Sequence, residues 1–171
     1  VTGMHLSSDF GKTVGHILND GFVIDAKVPM ISKGDSSYDM AKSIGVGIMG
    51  MSKAFNKLTP DIVLVLGDRV EALAASISAA YSSICVAHIH GGDSAEAGLD
   101  ENARHAITKL AHIHFPATKQ SAERIIKMGE DKSMVFVAGA PGLDDIEKRE
   151  FLCPKEISTK YELDLSKPIV L

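Results

Sequence analysis

Tryptophan is absent from this sequence, and aromatic residues make up only 5% of it. No basic run is present, and the formal net charge is −4. A nucleic-acid surface draws on clustered lysine and arginine and on stacking aromatics, so no nucleic-acid partner is expected. There are only two cysteines. Cys85 sits in an apolar run and Cys153 precedes Pro154. Neither has metal or redox spacing, so a reducing compartment, the cytoplasm, is the expected setting. The apolar stretches fall far short of a membrane span and no signal-peptide pattern opens the sequence, so no membrane partner is expected.

What remains is ordinary globular material. The 171 residues are 45% hydrophobic and 23% charged. A chain of this size can bury roughly two thirds of its unfolded surface and needs no covalent staples.

Strand and helix patterns alternate. Residues 61–66, Asp-Ile-Val-Leu-Val-Leu, form a continuous aliphatic run of the kind that is buried on both faces of a parallel sheet. Gly67-Asp68 ends it, and residues 70–80 read as an alanine-rich helix. Residues 84–89 read as the next strand, 99–110 as a helix with acids at its positive end, and 113–115 as a short strand. Thr118 is placed to cap a helix running to Met128, with Gly129 as its stop. Residues 134–138 read as a last strand, and upstream 21–25 as another. Ser36-Ser37 opens a long helix through Lys57, whose Gly45, Gly47 and Gly50 point to close approach by a neighbour. The predicted architecture is α/β, a doubly wound parallel sheet.

The opening Val1-Thr2-Gly3 reads as the end of a strand and Lys167–Leu171 as the start of one. The expectation is a longer protein. Residues 1–150 would form a Rossmann-like domain lacking its first βα unit. Residues 151–171 would be a polar crossing segment and the first strand of an absent C-terminal domain.

In an open parallel sheet, ligands bind beyond the carboxyl ends of the strands. That rule selects Gly3-Met4-His5, Gly67-Asp68-Arg69, His90-Gly91-Gly92-Asp93 and Gly139-Ala140-Pro141-Gly142. Asp68 at a strand end with Arg69 at a helix start can orient a polar substrate and grip a phosphate. The alternative is that Asp68 merely caps the helix. Gly91 and Gly92 let backbone approach a ligand, and His88 and His90 share a face if the strand persists. His112 and His114 repeat the spacing. Four histidines with Asp93 have the look of a zinc site, but such histidines serve equally as hydrogen-bonded packing residues. No His-Glu-x-x-His supports a metal, and none is expected. Asp100 with Arg104 and Glu101 with His105 pair acids and bases at a helix start, which suits proton transfer or an ordinary capped helix. No Gly-x-Gly-x-x-Gly follows a strand, which disfavours a dinucleotide site.

Residues 67–74, Gly-Asp-Arg-Val-Glu-Ala-Leu-Ala, resemble the Gly-Asp-Arg block of the hydrolysing UDP-N-acetylglucosamine 2-epimerases. His88-Ile89-His90-Gly91-Gly92 resembles their second block, and residues 100–110, Asp-Glu-Asn-Ala-Arg-His-Ala-Ile-Thr-Lys-Leu, their third and most specific one. Residues 1–6 and 138–142 match flanking blocks in the same order, so the resemblance covers nearly the whole chain. It implies the N-terminal half of a two-domain glycosyltransferase-B-type enzyme with its active site in the cleft. The reaction it implies eliminates UDP from UDP-N-acetylglucosamine and hydrates the glycal with inversion at C2. The products are N-acetylmannosamine, a sialic-acid precursor, and UDP.

No metal or redox cofactor belongs to that chemistry, and a homodimer is implied. The catalytic set implied is Asp68, Asp100, Glu101 and His90. The substrate-binding set is His5, Arg69, His88, Gly91, Gly92, Asp93, Arg104 and His105. Some members carry Glu at the position of His90 and many carry Glu at that of Asp93, which leaves the division of acid and base roles open. The 171-residue chain alone is expected to be inactive, because the second wall of the cleft is missing. Two alternatives lie close by. One is a hydrolysing epimerase of another nucleotide sugar, such as a 2,4-diacetamido-trideoxy sugar. The other is the non-hydrolysing UDP-N-acetylglucosamine 2-epimerase.

Overall fold

The computed structural model describes residues 1–34, 36–94, 98–144, 146 and 151–168. Two compact units divide it, Val1–Gly139 and Ala140–Leu171.

In the first unit a parallel sheet of order β1-β2-β3 is formed by β1 (Ile62–Leu66), β2 (Cys85–Ile89) and β3 (Ile113–Phe115). Ile62 pairs with Cys85 and Leu66 with Ile89, so the first two strands end at the same level. His88 pairs with His114 across β2 and β3. Among the described residues, five α-helices accompany the sheet, α1 (Val14–Asn19), α2 (Ser37–Leu58), α3 (Val70–Tyr81), α4 (Gly98–Leu110) and α5 (Lys119–Lys127).

The core joins Val63 and Val65 of β1 and Val86 of β2 to Met51 of α2, Ala75 and Ala79 of α3, Ile107 of α4 and the adjoining Ala111. Alternation along β1 sends Val63 and Val65 into these helices. Ile62, Leu64 and Leu66 remain more than half exposed, at 53%, 59% and 58%. The aliphatic run predicted burial on both faces; among the described residues only one face of β1 is covered.

α2 starts at a capping box, in which Ser36 Oγ accepts from Asp39 N and Asp39 answers the Ser36 backbone. Its glycines do what their spacing predicted at two of three places. A Cβ on Gly47 would lie 2.8 Å from Met30 Cε and 3.0 Å from Ala74 Cβ, and one on Gly50 would strike Val28. Gly45 faces open space. Ser78 Oγ of α3 donates to Ile48 O of α2 at 3.0 Å, which fastens the two helices at short range.

Two predicted strands are corrected. Residues 21–25 are not a strand; the parallel pairing falls later, at Thr2 with Val28, where Thr2 Oγ1 donates to Val28 O at 2.6 Å. Residues 134–138 begin within a 3-10 turn (Lys132–Met134) and make only an isolated bridge, His114 with Val135. Phe136 N to His114 O at 2.9 Å and Ala138 N to Pro116 O at 3.1 Å continue that edge without a full ladder. The second unit begins earlier than the crossing segment read at 151–171; it contains a 3-10 turn (Pro141–Leu143) and helix α6 (Pro154–Tyr161), with proline in its first turn. The strand read at Lys167–Leu171 and the start of the polar stretch at Glu147 lie largely outside the described residues. No described helix is long and apolar enough to cross a membrane.

Candidate functional site

The carboxyl ends of β1 and β2 release their chains into adjacent loops. The first loop is Gly67-Asp68-Arg69. Gly67 takes a left-handed turn at φ +75, and its N donates to Ile89 O at 3.0 Å. Arg69, not Asp68, occupies the N-cap of α3, and no side chain caps that helix. The reading of Asp68 as a mere cap is therefore set aside; its carboxylate turns to Arg104 of α4, with which it forms a hydrogen-bonded ion pair.

Arg104 also donates from Nη1 to Asp93 O at 3.0 Å. One guanidinium thus joins the loop after β1 to the loop after β2. The expected Asp100–Arg104 pair at helical spacing gives way to this tertiary one, because the half-buried Asp68 offers a better desolvated charge partner than the exposed Asp100. The Nε of Arg104 is buried without a partner among the described residues.

The second loop begins where β2 ends. His90 has φ +64 and leaves the strand, so His88 and His90 do not share a face as the spacing predicted. His88 is fully buried. Its Nε2 meets Gly67 O at 2.8 Å and its Nδ1 meets Thr108 Oγ1 at 3.2 Å. Burial pushes its pKa down to about 4, against the Gly67 carbonyl, which favours the protonated ring. His88 is thus a neutral strut linking β1, β2 and α4.

His90 Nδ1 lies 2.9 Å from Asp93 Oδ2, and Asp93 Oδ1 accepts from Ser121 Oγ of α5 at 2.6 Å. Arg124 of α5 donates to Gly92 O. The space opened by the paired glycines is filled by protein. A Cβ on Gly91 would lie 2.9 Å from His88 Nδ1, and one on Gly92 would overlap the Ser121 carbonyl.

The remaining candidates sit around the same edge. Arg69 is exposed, with Nε 3.4 Å from Glu71 Oε2, and it lines three clefts of about 500, 710 and 490 Å³. Asp100 lines the first with Leu99 and Asn102 of α4 and Leu73 of α3. His5 lines the third, its Nδ1 2.7 Å from Thr13 Oγ1. Glu101 Oε1 accepts from Ser94 Oγ at 2.9 Å and lies 3.7 Å from His105 Nε2, the predicted i,i+4 pair. The other histidines have separate partners. His112 Nδ1 accepts from Val86 N at 3.2 Å, and His114 Nε2 is 3.4 Å from Glu130. No group of three potential metal ligands occurs among the described residues.

Sequence reasoning missed Thr108, Ser121, Arg124 and Glu71. Ser121 and Arg124 lie 28 and 32 residues from their partners in the loop after β2, beyond any local signal. Glu71 is packed against the Gly3-Met4-His5 loop, where a Cβ on Gly3 would run into its carboxylate. The fourth predicted loop is divided between the two units after Gly139.

The profile of the UDP-N-acetylglucosamine 2-epimerases matches residues 1–170. A UDP-N,N'-diacetylbacillosamine 2-epimerase (hydrolyzing) of Legionella pneumophila is 43% identical over 100% of this chain and 45% of its own length. A GDP/UDP-N,N'-diacetylbacillosamine 2-epimerase (hydrolyzing) of Campylobacter jejuni is 32% identical over 99% of this chain and 44% of its own. The chain therefore spans less than half the length of these relatives. The structure of a UDP-GlcNAc 2-epimerase from Neisseria meningitidis bound to UDP-GlcNAc superimposes with a TM-score of 0.71 at 22% identity, covering 94% of this chain and 43% of that one. At that identity the likeness establishes the fold, the parallel α/β half of a glycosyltransferase-B-type architecture. With the profile spanning residues 1–170, the chain belongs to the UDP-N-acetylglucosamine 2-epimerase family.

Proposed function

We propose that the protein carrying this chain is a hydrolysing 2-epimerase of a UDP-linked 2-acetamido sugar, with the 2,4-diacetamido-trideoxy sugar as its substrate. The observation that carries this is the 43% identity, along the entire chain, to a hydrolysing diacetylbacillosamine epimerase. UDP-N-acetylglucosamine is the second reading, favoured by the family profile. A homodimer in the cytoplasm belongs to the same proposal.

The chemistry needs three things from this half of the enzyme. UDP must be held as a leaving group. Arg69, exposed at the positive end of the 12-residue α3, supplies charge and a helix N-terminus for a diphosphate. A proton must leave C2 as the C2–H pair becomes the C1=C2 bond and the C1–O pair departs with UDP. A second proton must then reach C2 from the other face while water adds at C1. Asp68, Asp100, Glu101 and His90 are the groups offered for these transfers. Asp68 is ordered by Arg104, and Asp100 lines a cleft with Arg69.

The test is turnover by the full-length protein of each UDP-sugar, with the product resolved by NMR. Free epimerised sugar plus UDP supports the reading, and an epimerised UDP-sugar refutes hydrolysis. Asp100→Asn, which keeps shape and removes a proton carrier, is expected to retain UDP binding and to lose turnover by at least about 100-fold. Wild-type turnover in that variant removes Asp100 from the mechanism.

A further inference from the structure

The loop after β2 holds its histidine in a way that binding a sugar nucleotide does not require. His90 adopts a left-handed backbone. Its Nδ1 is 2.9 Å from Asp93 Oδ2, and since a carboxylate only accepts, the ring is the donor. Both carboxylate oxygens of Asp93 are engaged, the second by Ser121 Oγ at 2.6 Å. Ser121 is itself buried, with its Oγ 2.9 Å from Thr118 Oγ1 at the cap of α5. The backbone of the loop is gripped by Arg104 of α4 at Asp93 O and by Arg124 of α5 at Gly92 O. The charged groups that hold the ring and its loop are thus Asp93 on the loop itself, Arg104 with its partner Asp68, and Arg124.

This arrangement fixes a tautomer. With the proton held on Nδ1, Nε2 carries the lone pair, and Nε2 has no hydrogen-bond partner among the described residues. The side chain is 26% exposed, and Nε2 is not among the buried unpartnered atoms of the described residues. A carboxylate behind an imidazole also stabilises the imidazolium that forms when the outer nitrogen takes a proton.

We infer that His90 Nε2 is the acceptor of the C2 proton, and that Asp93 and Ser121 are positioning residues that hold it rather than contacts of the substrate. This rests on the epimerase reading above. In the step, the Nε2–H bond forms as C2–H breaks. The C2–H electrons become the C1=C2 bond, and UDP leaves with the C1–O pair. Asp93 remains a carboxylate facing the new imidazolium. Because the resting ring has a free lone pair and no proton at Nε2, it suits the first transfer, and the second falls to the carboxylates of the neighbouring loop and of α4.

The experiment uses the full-length protein, UDP-N,N'-diacetylbacillosamine and UDP-N-acetylglucosamine as substrates, and ¹⁵N-imidazole NMR. Wild type should show the Nδ1–H tautomer at His90. Asp93→Asn should mix the tautomers, lower kcat at least about 100-fold with KM nearly constant, and displace the acidic limb of the pH–rate profile. Asp93→Glu should recover part of the rate. Ser121→Ala, a gentler change, should lower kcat several-fold in the same direction. A rise in KM with unchanged kcat in Asp93→Asn makes Asp93 a substrate contact and overturns the inference, as does an Nε2–H tautomer in an active wild-type enzyme. If wild type turns over neither sugar while His90 still shows the Asp93-dependent tautomer, the epimerase reading fails and the acceptor role falls with it. The positioning of the ring would then stand alone.

Discussion

Gly67 and Gly92 share a left-handed backbone, at φ +75 and +73, yet a Cβ on the first would meet open space while one on the second would overlap the Ser121 carbonyl. The two loops differ as their glycines do. After β2 the chain is wedged against α5, with His88 and Thr108 beneath it and Arg124 on its carbonyl. After β1 the chain is tied by its ends and left open outward, with Arg69 exposed in three clefts. One loop holds a fixed geometry, which proton transfer demands within fractions of an ångström. The other leaves room for a ligand to be gripped.

The sharpest way to break the comparison is Gly92→Ala. Left-handed strain and overlap with backbone add together, and the variant is expected to lose about 3 kcal/mol of stability or more. Urea unfolding measures it. A loss below about 1 kcal/mol would mean that α5 yields readily and that the loop is not wedged.

Acid should loosen the braced side next. His88 has its pKa lowered from 6.5 to about 4 by burial, so the fold favours the neutral ring. The unfolded chain takes up its proton first on acidification. The contribution is therefore fully present above 6.5 and is lost as pH falls toward 4, by on the order of 3 kcal/mol in total. His114 adds the same sign, since burial lowers its pKa despite Glu130. Urea midpoints measured across that window should fall steadily, and a flat profile would show that His88 is not the strut described.

What the sequence disclosed divides along a similar line. Strands with unbroken aliphatic runs and helices with local caps were legible, because Val63, Val65 and Thr118 act through neighbours in sequence. The false strand at 21–25 shows the limit: Phe22 and Val23 have strand composition but are 66% and 83% exposed, and the pairing partner of Thr2 is Val28. α6 lay hidden in a polar stretch because it buries no residue and so has no apolar stripe. At the site, family blocks marked Asp68, His90 and Asp93, and helical spacing foresaw Glu101 with His105. It misassigned Arg104, whose partner is 36 residues away, since charge pairing across loops obeys burial rather than spacing.

That misassigned arginine is central to the comparison, for its guanidinium bonds to both loops. Arg104→Met should keep the aliphatic stem in place and leave Asp68 and Asp93 O without their donor. The expected cost is about 2 kcal/mol, as for charge-assisted hydrogen bonds. If the loops are independent, Arg104→Met and Gly92→Ala will be additive in urea unfolding. A coupling of about 0.5 kcal/mol or more would show that the brace extends through Arg104 to the open side.

The smallest effect should come from Gly67→Ala, which isolates backbone strain from steric overlap. The φ of +75 is close to that of Gly92, and no atom within 4 Å would meet the new Cβ. Only the left-handed penalty remains, about 1 kcal/mol. The bonds at this residue, Gly67 N to Ile89 O and His88 Nε2 to Gly67 O, are made by backbone and survive the change. Stability should therefore fall by about 1 kcal/mol while the acid profile of His88 is unchanged. A loss matching that of Gly92→Ala would mean that the loop after β1 is as tightly enclosed as its neighbour. Arg69 would then lack the freedom to close on a diphosphate, and the contrast between a fixed loop and a gripping one would be withdrawn.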